Sequence, residues 1–176
     1  QMEVWLGSHL SPVASAAFNE VVAKEIGGTL DLAALQGAVN DLSARHESLR
    51  MSVSSTPPGF RVAASLPLVV EVFDHTQAAD PTAAREDVLR RVNREPFDFA
   101  RGPLWRVALI REGGCDVLVI AIHHLICDGW SFGVLLREIE VCYEARRAGR
   151  PDGLPPAMPA SAYARAPVPS ASTPSP

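Results

Sequence analysis

The stretch from Asp116 to Ser131, Asp-Val-Leu-Val-Ile-Ala-Ile-His-His-Leu-Ile-Cys-Asp-Gly-Trp-Ser, constrains this chain more than any other. Asp116 to Ile122 is apolar and β-branched enough to read as a buried strand, and it runs straight into His123 and His124. Side chains alternate along a strand, so the two imidazoles point to opposite faces; one can be locked into packing while the other faces a cavity. An imidazole, with an ordinary pKa of about 6.5, is the usual side chain for moving a proton near neutrality. The pattern alone leaves two readings open, a pair of satisfied core histidines or a structural histidine beside a chemical one. Metal binding is disfavoured, because ligands on opposite faces of one strand do not readily converge on one ion.

The rest of the chain supplies elements to surround that strand. Trp105 to Arg111 and Asp116 to His123 form a hairpin across Glu112-Gly113-Gly114. Phe18 to Ile26 mixes strand and helix formers and is stopped by Gly27-Gly28. Asp31 is placed to cap a helix with Leu32, Leu35, Val39 and Leu42 at helical spacing, ending near His46. Leu49 to Ser54 and Phe60 to Ala64 read as a hairpin around Thr56-Pro57-Pro58-Gly59, and Leu68 to Phe73 as another strand. Asp80-Pro81 opens a helix whose apolar side is Val88, Leu89 and Val92 and which ends near Pro96. After Gly129, Phe132, Leu135, Leu136, Ile139 and Tyr143 indicate a helix to about Arg147. Glu3 to Leu10 reads as a short amphipathic helix stopped by Pro12.

Residues 1–149 thus form the folded unit. Residues 150–165 lead out of it, with Leu154, Met158 and Tyr163 available to pack back, and 166–176 read as a flexible linker or tail. Eight prolines among residues 151–176 mark the change of character.

With 176 residues, 47% of them hydrophobic, the chain can bury one sizeable core. A net charge of -4 without a basic cluster argues against nucleic acid, and no apolar run reaches the length of a membrane span. Cys115, Cys127 and Cys142 are too few and too irregular for a disulfide framework or a zinc site; they fit the cytoplasm.

His123-His124-Leu-Ile-Cys-Asp128-Gly129 resembles the HHxxxDG motif of the condensation domains of nonribosomal peptide synthetases, which share the chloramphenicol acetyltransferase fold. Arg45-His46-Glu47-Ser48-Leu49-Arg50 resembles the family's RHExLR signature, and Gln1-Met-Glu3-Val-Trp5-Leu6 the end of its first motif. Pro96-Phe97-Asp98-Phe99-Ala-Arg101-Gly102-Pro103-Leu104 resembles the segment before its active-site hairpin. All four stand in family order, which tips Phe18 to Ile26 towards strand. The chain opens at Gln1, inside a motif, and is therefore read as an excised N-terminal lobe.

The resemblance implies an α/β lobe, a mixed sheet covered by helices, that forms part of an amide-forming acyltransferase. Substrates would arrive as phosphopantetheine thioesters on donor and acceptor peptidyl carrier proteins, the lobe itself binding no cofactor. The missing C-terminal lobe and neighbouring synthetase domains are the further implied partners, with no role for nucleic acid or membrane.

The second histidine of the motif, which carries the chemistry in the family, maps onto His124, either as general base or as a group that orients the amine and stabilises the tetrahedral intermediate. His123 is then structural. Asp128 is expected to be partly buried, paired with Arg45 or else Arg50, and so to fix the loop; capping the following helix is the compatible alternative. Gly129 is expected to allow a backbone geometry or close approach that a Cβ would block. Trp130 is read as packing and Ser131 as a substrate contact or a cap. Cys127 stands where the family commonly has serine, and is read as packing. The continuation Trp130-Ser131 favours condensation over epimerisation, and the intact histidine pair argues against heterocyclisation. Two rival functions remain, a lobe of another CoA- or carrier-dependent acyltransferase, and a non-catalytic docking module.

Overall fold

A computed structural model of the chain describes residues 15–56 and 58–165. The segments Glu3 to Leu10 and 166–176 lie outside the described residues.

Strand β6 (Cys115–His123) is the centre of the molecule, and Asp116 to His123 are all buried. It pairs antiparallel with β1 (Asn19–Gly27) on one side and β5 (Trp105–Arg111) on the other. The short β4 (Glu71–Asp74) adds to β5 in parallel, so the order β1-β6-β5-β4 makes a mixed sheet. A separate two-stranded ribbon joins β2 (Met51–Ser55) and β3 (Pro58–Val62).

A strand buried on both faces needs cover on both. Helix α1 (Leu32–Arg45) is capped by Asp31, whose side chain accepts from the Ala34 N–H at 3.0 Å. It buries Leu35, Ala38, Val39 and Leu42, while Leu32, in the first turn, stays exposed. Helix α2 (Pro81–Arg94) opens with the Asp80 cap and Pro81 in the first turn, burying Val88 and Val92. Helix α3 (Gly129–Arg147) buries Phe132, Leu135, Ile139 and Cys142 and packs along α1.

The two faces can be assigned from side chains. Lys24 and Leu118, cross-strand partners, line one small cavity with Leu35, Leu136 and Ile139, so α1 and α3 cover that face. Asn19, partner of His123, donates its side-chain amide to the Asn93 carbonyl of α2 at 2.7 Å, so α2 lies on the other.

Three expectations shift. Leu68 and Val70 are buried, but the strand begins only at Glu71. The Gln36 amide of α1 takes the backbone bonds a neighbouring strand would have supplied, donating to the Leu68 carbonyl at 2.6 Å and accepting from the Val70 N–H at 2.9 Å. Leu49 sits in a 3-10 turn (Glu47–Arg50) ahead of β2. Leu154 packs on the core, whereas Met158 is exposed, just before a short helix α4 (Ala160–Arg165) that the composition did not suggest.

Candidate active site

Strand alternation separates the two histidines as their positions require. His123 is fully buried, on the α2 face. Its ring meets Phe99 edge-on at 4.9 Å between centroids, Phe97 edge-on at 6.2 Å, and Phe18 at 6.1 Å. Nδ1 accepts from the Leu125 N–H at 3.1 Å, which fixes the chain as it leaves the strand. Burial pushes its pKa down to about 4, against a hydrogen bond at the Ser15 backbone that favours the charged form. The ring is therefore neutral near pH 7 and serves as a wedge under the loop.

His124 emerges on the other face. Its N–H donates to the Phe18 carbonyl at 2.9 Å, continuing the β1–β6 ladder one step beyond β6. Its side chain is 41% exposed, and Nδ1 lies 2.9 Å from Oε1 of Glu20. Glu20 pairs with Ile122 across β1 and β6, so it shares a face with His124 and stands diagonally beside it. Among the described residues no hydrogen bond reaches the His124 Nε2. The arrangement is an imidazole with a carboxylate beside Nδ1 and with Nε2 open.

Beyond the histidines the chain turns sharply, the Ile126 N–H donating to the His123 carbonyl at 3.1 Å. Cys127 is buried, and burial, reinforced by Glu20 and Asp128, pushes its thiol up to about 12. That is a packed thiol rather than a reactive one. Asp128 is exposed and caps α3, accepting from the Ser131 N–H at 2.8 Å; this hydrogen bond is the main reason its carboxyl lies below the usual carboxylate range.

The expected pairing of Asp128 with Arg45 or Arg50 is not formed among the described residues. Arg45 ends α1 and binds Glu138 in the middle of α3, Nε to Oε2 at 2.9 Å, with Nε2 of His46 on the same oxygen at 2.7 Å. Burial pushes the Glu138 carboxyl up, but the Arg45 and His46 hydrogen bonds outweigh it and hold the group below the usual range. Glu138 lies ten residues along the helix from Asp128, about 15 Å at 1.5 Å per residue, and that separation is why the two motifs do not meet. Arg50 instead donates to backbone carbonyls, those of Ser43 at 2.8 Å and Ala63 among them, tying the end of α1 to the ribbon. The Glu47 carboxylate accepts from the Ser161 N–H at 2.8 Å and fastens α4.

Two further expectations are corrected. Gly129 has no positive φ, and a Cβ placed on it would meet nothing within 4 Å, so neither backbone strain nor a close approach within the described residues requires glycine there. Trp130 is not packed; it is 85% exposed, whereas Phe132 in the same first turn of α3 is the residue that is buried. Ser131 is half-buried and serves the cap. His124, Glu20, Gly129 and Trp130 are thus all accessible at least in part, while His123 and Cys127 support them from below.

Capping alone holding Asp128 predicts a modest effect for Asp128→Ala. The melting temperature should fall by roughly 2–4 °C, the scale of a lost N-cap, and the loss should add to that of Arg45→Ala. Strong non-additivity in a double-mutant cycle would mean the two residues interact after all.

The Condensation domain family model matches residues 1–167. The chain belongs to the condensation-domain family. Among curated proteins this condensation lobe is 38% identical over 160 residues to chondramide synthase cmdD of Chondromyces crocatus, covering 88% of this chain and 4% of that protein. It is 34% identical over 160 residues to malpibaldin synthetase of Mortierella alpina, covering 89% of this chain and 3% of that one. The chain therefore spans only a few per cent of the length of these relatives.

Among solved structures it superposes on the starter condensation domain of rhizomide synthetase RzmA with a TM-score of 0.83 at 22% identity, covering 92% of this chain and 40% of that one. The X-domain, solved in complex with OxyB from teicoplanin biosynthesis, gives a TM-score of 0.81 at 27% identity, over 93% of this chain and 35% of that one. The fold is that of a condensation domain, and the partial coverage fits its N-terminal lobe. Among the described residues no helix is long and apolar enough to cross a membrane, and no group of three or more His, Cys, Asp or Glu is placed to hold a metal.

Proposed function

We propose that this lobe supplies the catalytic histidine for amide formation between a carrier-bound acyl or aminoacyl thioester donor and a carrier-bound aminoacyl acceptor. The observation that carries the reading is the state of His124, a half-exposed imidazole with the Glu20 carboxylate 2.9 Å from Nδ1 and with Nε2 open. The free α-amine of the acceptor attacks the thioester carbonyl carbon, forming the C–N bond and an oxyanion. An N–H proton passes to Nε2 of His124; the intermediate then collapses, the C–S bond breaks, and the imidazolium returns the proton to the departing phosphopantetheine thiolate. Amine and thioester give amide and thiol, with no net proton change. His124 meets the reacting atoms, His123 and the Asp128-capped helix hold the loop, and a C-terminal lobe completes the substrate channel over the exposed Gly129 and Trp130.

The test is product formation with loaded carriers. The complete domain should release amide, detected by mass spectrometry, only when both carriers are loaded, and this chain by itself should give none above the uncatalysed rate. Transfer to a hydroxyl or to free CoA instead would identify another acyltransferase. Likeness to the X-domain is the one observation on the side of a docking role, and carrier binding by the complete domain without any transfer would establish it.

A further inference from the structure

We infer that Glu20 is the positioning residue for His124, fixing the imidazole as the tautomer with hydrogen on Nδ1 so that Nε2 presents a lone pair to the acceptor amine. The inference rests on the catalytic reading of His124 and names the group that makes it competent. It is carried by three observations. Glu20 Oε1 lies 2.9 Å from Nδ1 of His124, an ion-pair contact close enough to favour a hydrogen on that nitrogen, though the ring N–H is not aligned on the oxygen as a hydrogen bond. The β1–β6 register, Glu20 opposite Ile122, places the carboxylate on the His124 face through a ladder of backbone bonds, so its position is set by the sheet. Its side chain is 37% exposed, partly withdrawn from water beside the buried Cys127 thiol, whose pKa it helps raise.

The chemistry follows from the imidazole ring. A neutral histidine has one N–H and one lone pair, and whichever nitrogen donates to a fixed acceptor leaves the other as the base. A carboxylate offers only lone pairs, so a ring nitrogen 2.9 Å from it is favoured as the one that carries the hydrogen. Glu20 also stabilises the imidazolium formed when Nε2 takes the amine proton, an interaction that is stronger in the charged state than in the ground state. The next residues of β1 on the same face are Val22, which packs on the core and has no acceptor, and Lys24, a cation, which leaves Glu20 as the group on this strand able to act.

The experiment uses the complete condensation domain with loaded donor and acceptor carriers. Glu20→Leu removes acceptor and charge, and Glu20→Gln keeps an acceptor and removes only the charge. Single-turnover amide formation should fall about tenfold or more for Glu20→Leu, less for Glu20→Gln, with carrier affinity and melting temperature unchanged. Nitrogen-15 NMR of the histidine-labelled protein should show His124 protonated at Nδ1 in the parent and mixed between tautomers in Glu20→Leu. In a His124→Ala background, Glu20→Leu should cost nothing further. A parent-like rate for Glu20→Leu, an unchanged tautomer, or the same loss with and without His124 would overturn the role of Glu20 while leaving His124 as the base. A parent-like rate for His124→Ala would instead bring down the catalytic reading and this inference with it. Should Glu20→Leu fail to fold, the tautomer in the parent and the rate of Glu20→Gln decide the matter.

Discussion

His123→Ala is expected to lower the melting temperature of this chain by roughly 10 °C or more. The ring is fully buried against Phe18, Phe97 and Phe99, and truncating it leaves a void among them. Emptying an aromatic-sized core site typically costs about 3–5 kcal/mol, and the Leu125 N–H would lose its acceptor as well. A drop of only a degree or two would mean that this site collapses freely and that His123 is not the support of the loop.

Burial of His123 also has a consequence for pH. Its folded pKa of about 4 lies below the ordinary histidine value of about 6.5, so the unfolded chain binds the proton more readily than the folded one. The stabilisation from keeping this ring neutral is complete above about pH 6.5 and is lost as pH falls towards 4. On the order of 3 kcal/mol is at stake over that window. Denaturant midpoints measured from pH 7 to pH 4 should show this slope in the parent, and a His123→Phe variant should lack that part of it.

Much of the fold is legible in the sequence because its signals are local. The apolar density of Val117 to Ile122, the Asp caps at 31 and 80, the Pro81 start and the Gly113 turn each act within a few residues, and each element they announce is present. The elements that shifted depend on distant partners. Whether Leu68 to Val70 ladders is decided by the Gln36 side chain of α1, and nothing near residue 68 encodes that choice.

The candidate site divides in the same way. Opposite faces for His123 and His124 follow from strand alternation, and the burial of one and exposure of the other agree with it. The arginine partner for Asp128 was a statement about two motifs far apart in the chain, and nearly three helical turns of α3 keep them separate. Glu20 was missed because an acidic residue in an ambiguous segment looks like a solvated strand face. Only the register against β6 makes it a neighbour of His124, and the usable signal was a carboxylate two positions into a strand that must pair with the histidine strand.

The second large effect is expected at His124. Its ring packs into no core site, so His124→Ala should leave the melting temperature of the complete domain within about 1 °C of the parent. Removing the group that takes the amine proton should nevertheless slow amide formation on the order of 10²-fold or more. The loss should fall on the chemical step, with carrier affinity unchanged, because His124 meets the reacting amine rather than the carrier surface. The decisive measurement is a rapid-quench experiment, in which enzyme in excess is mixed with loaded donor and acceptor carriers and amide is counted against time. A single-turnover rate reduced at least a hundredfold, with normal carrier binding and normal melting, is the predicted result. Amide formation by His124→Ala at the parent rate would contradict the assignment of catalysis to this histidine.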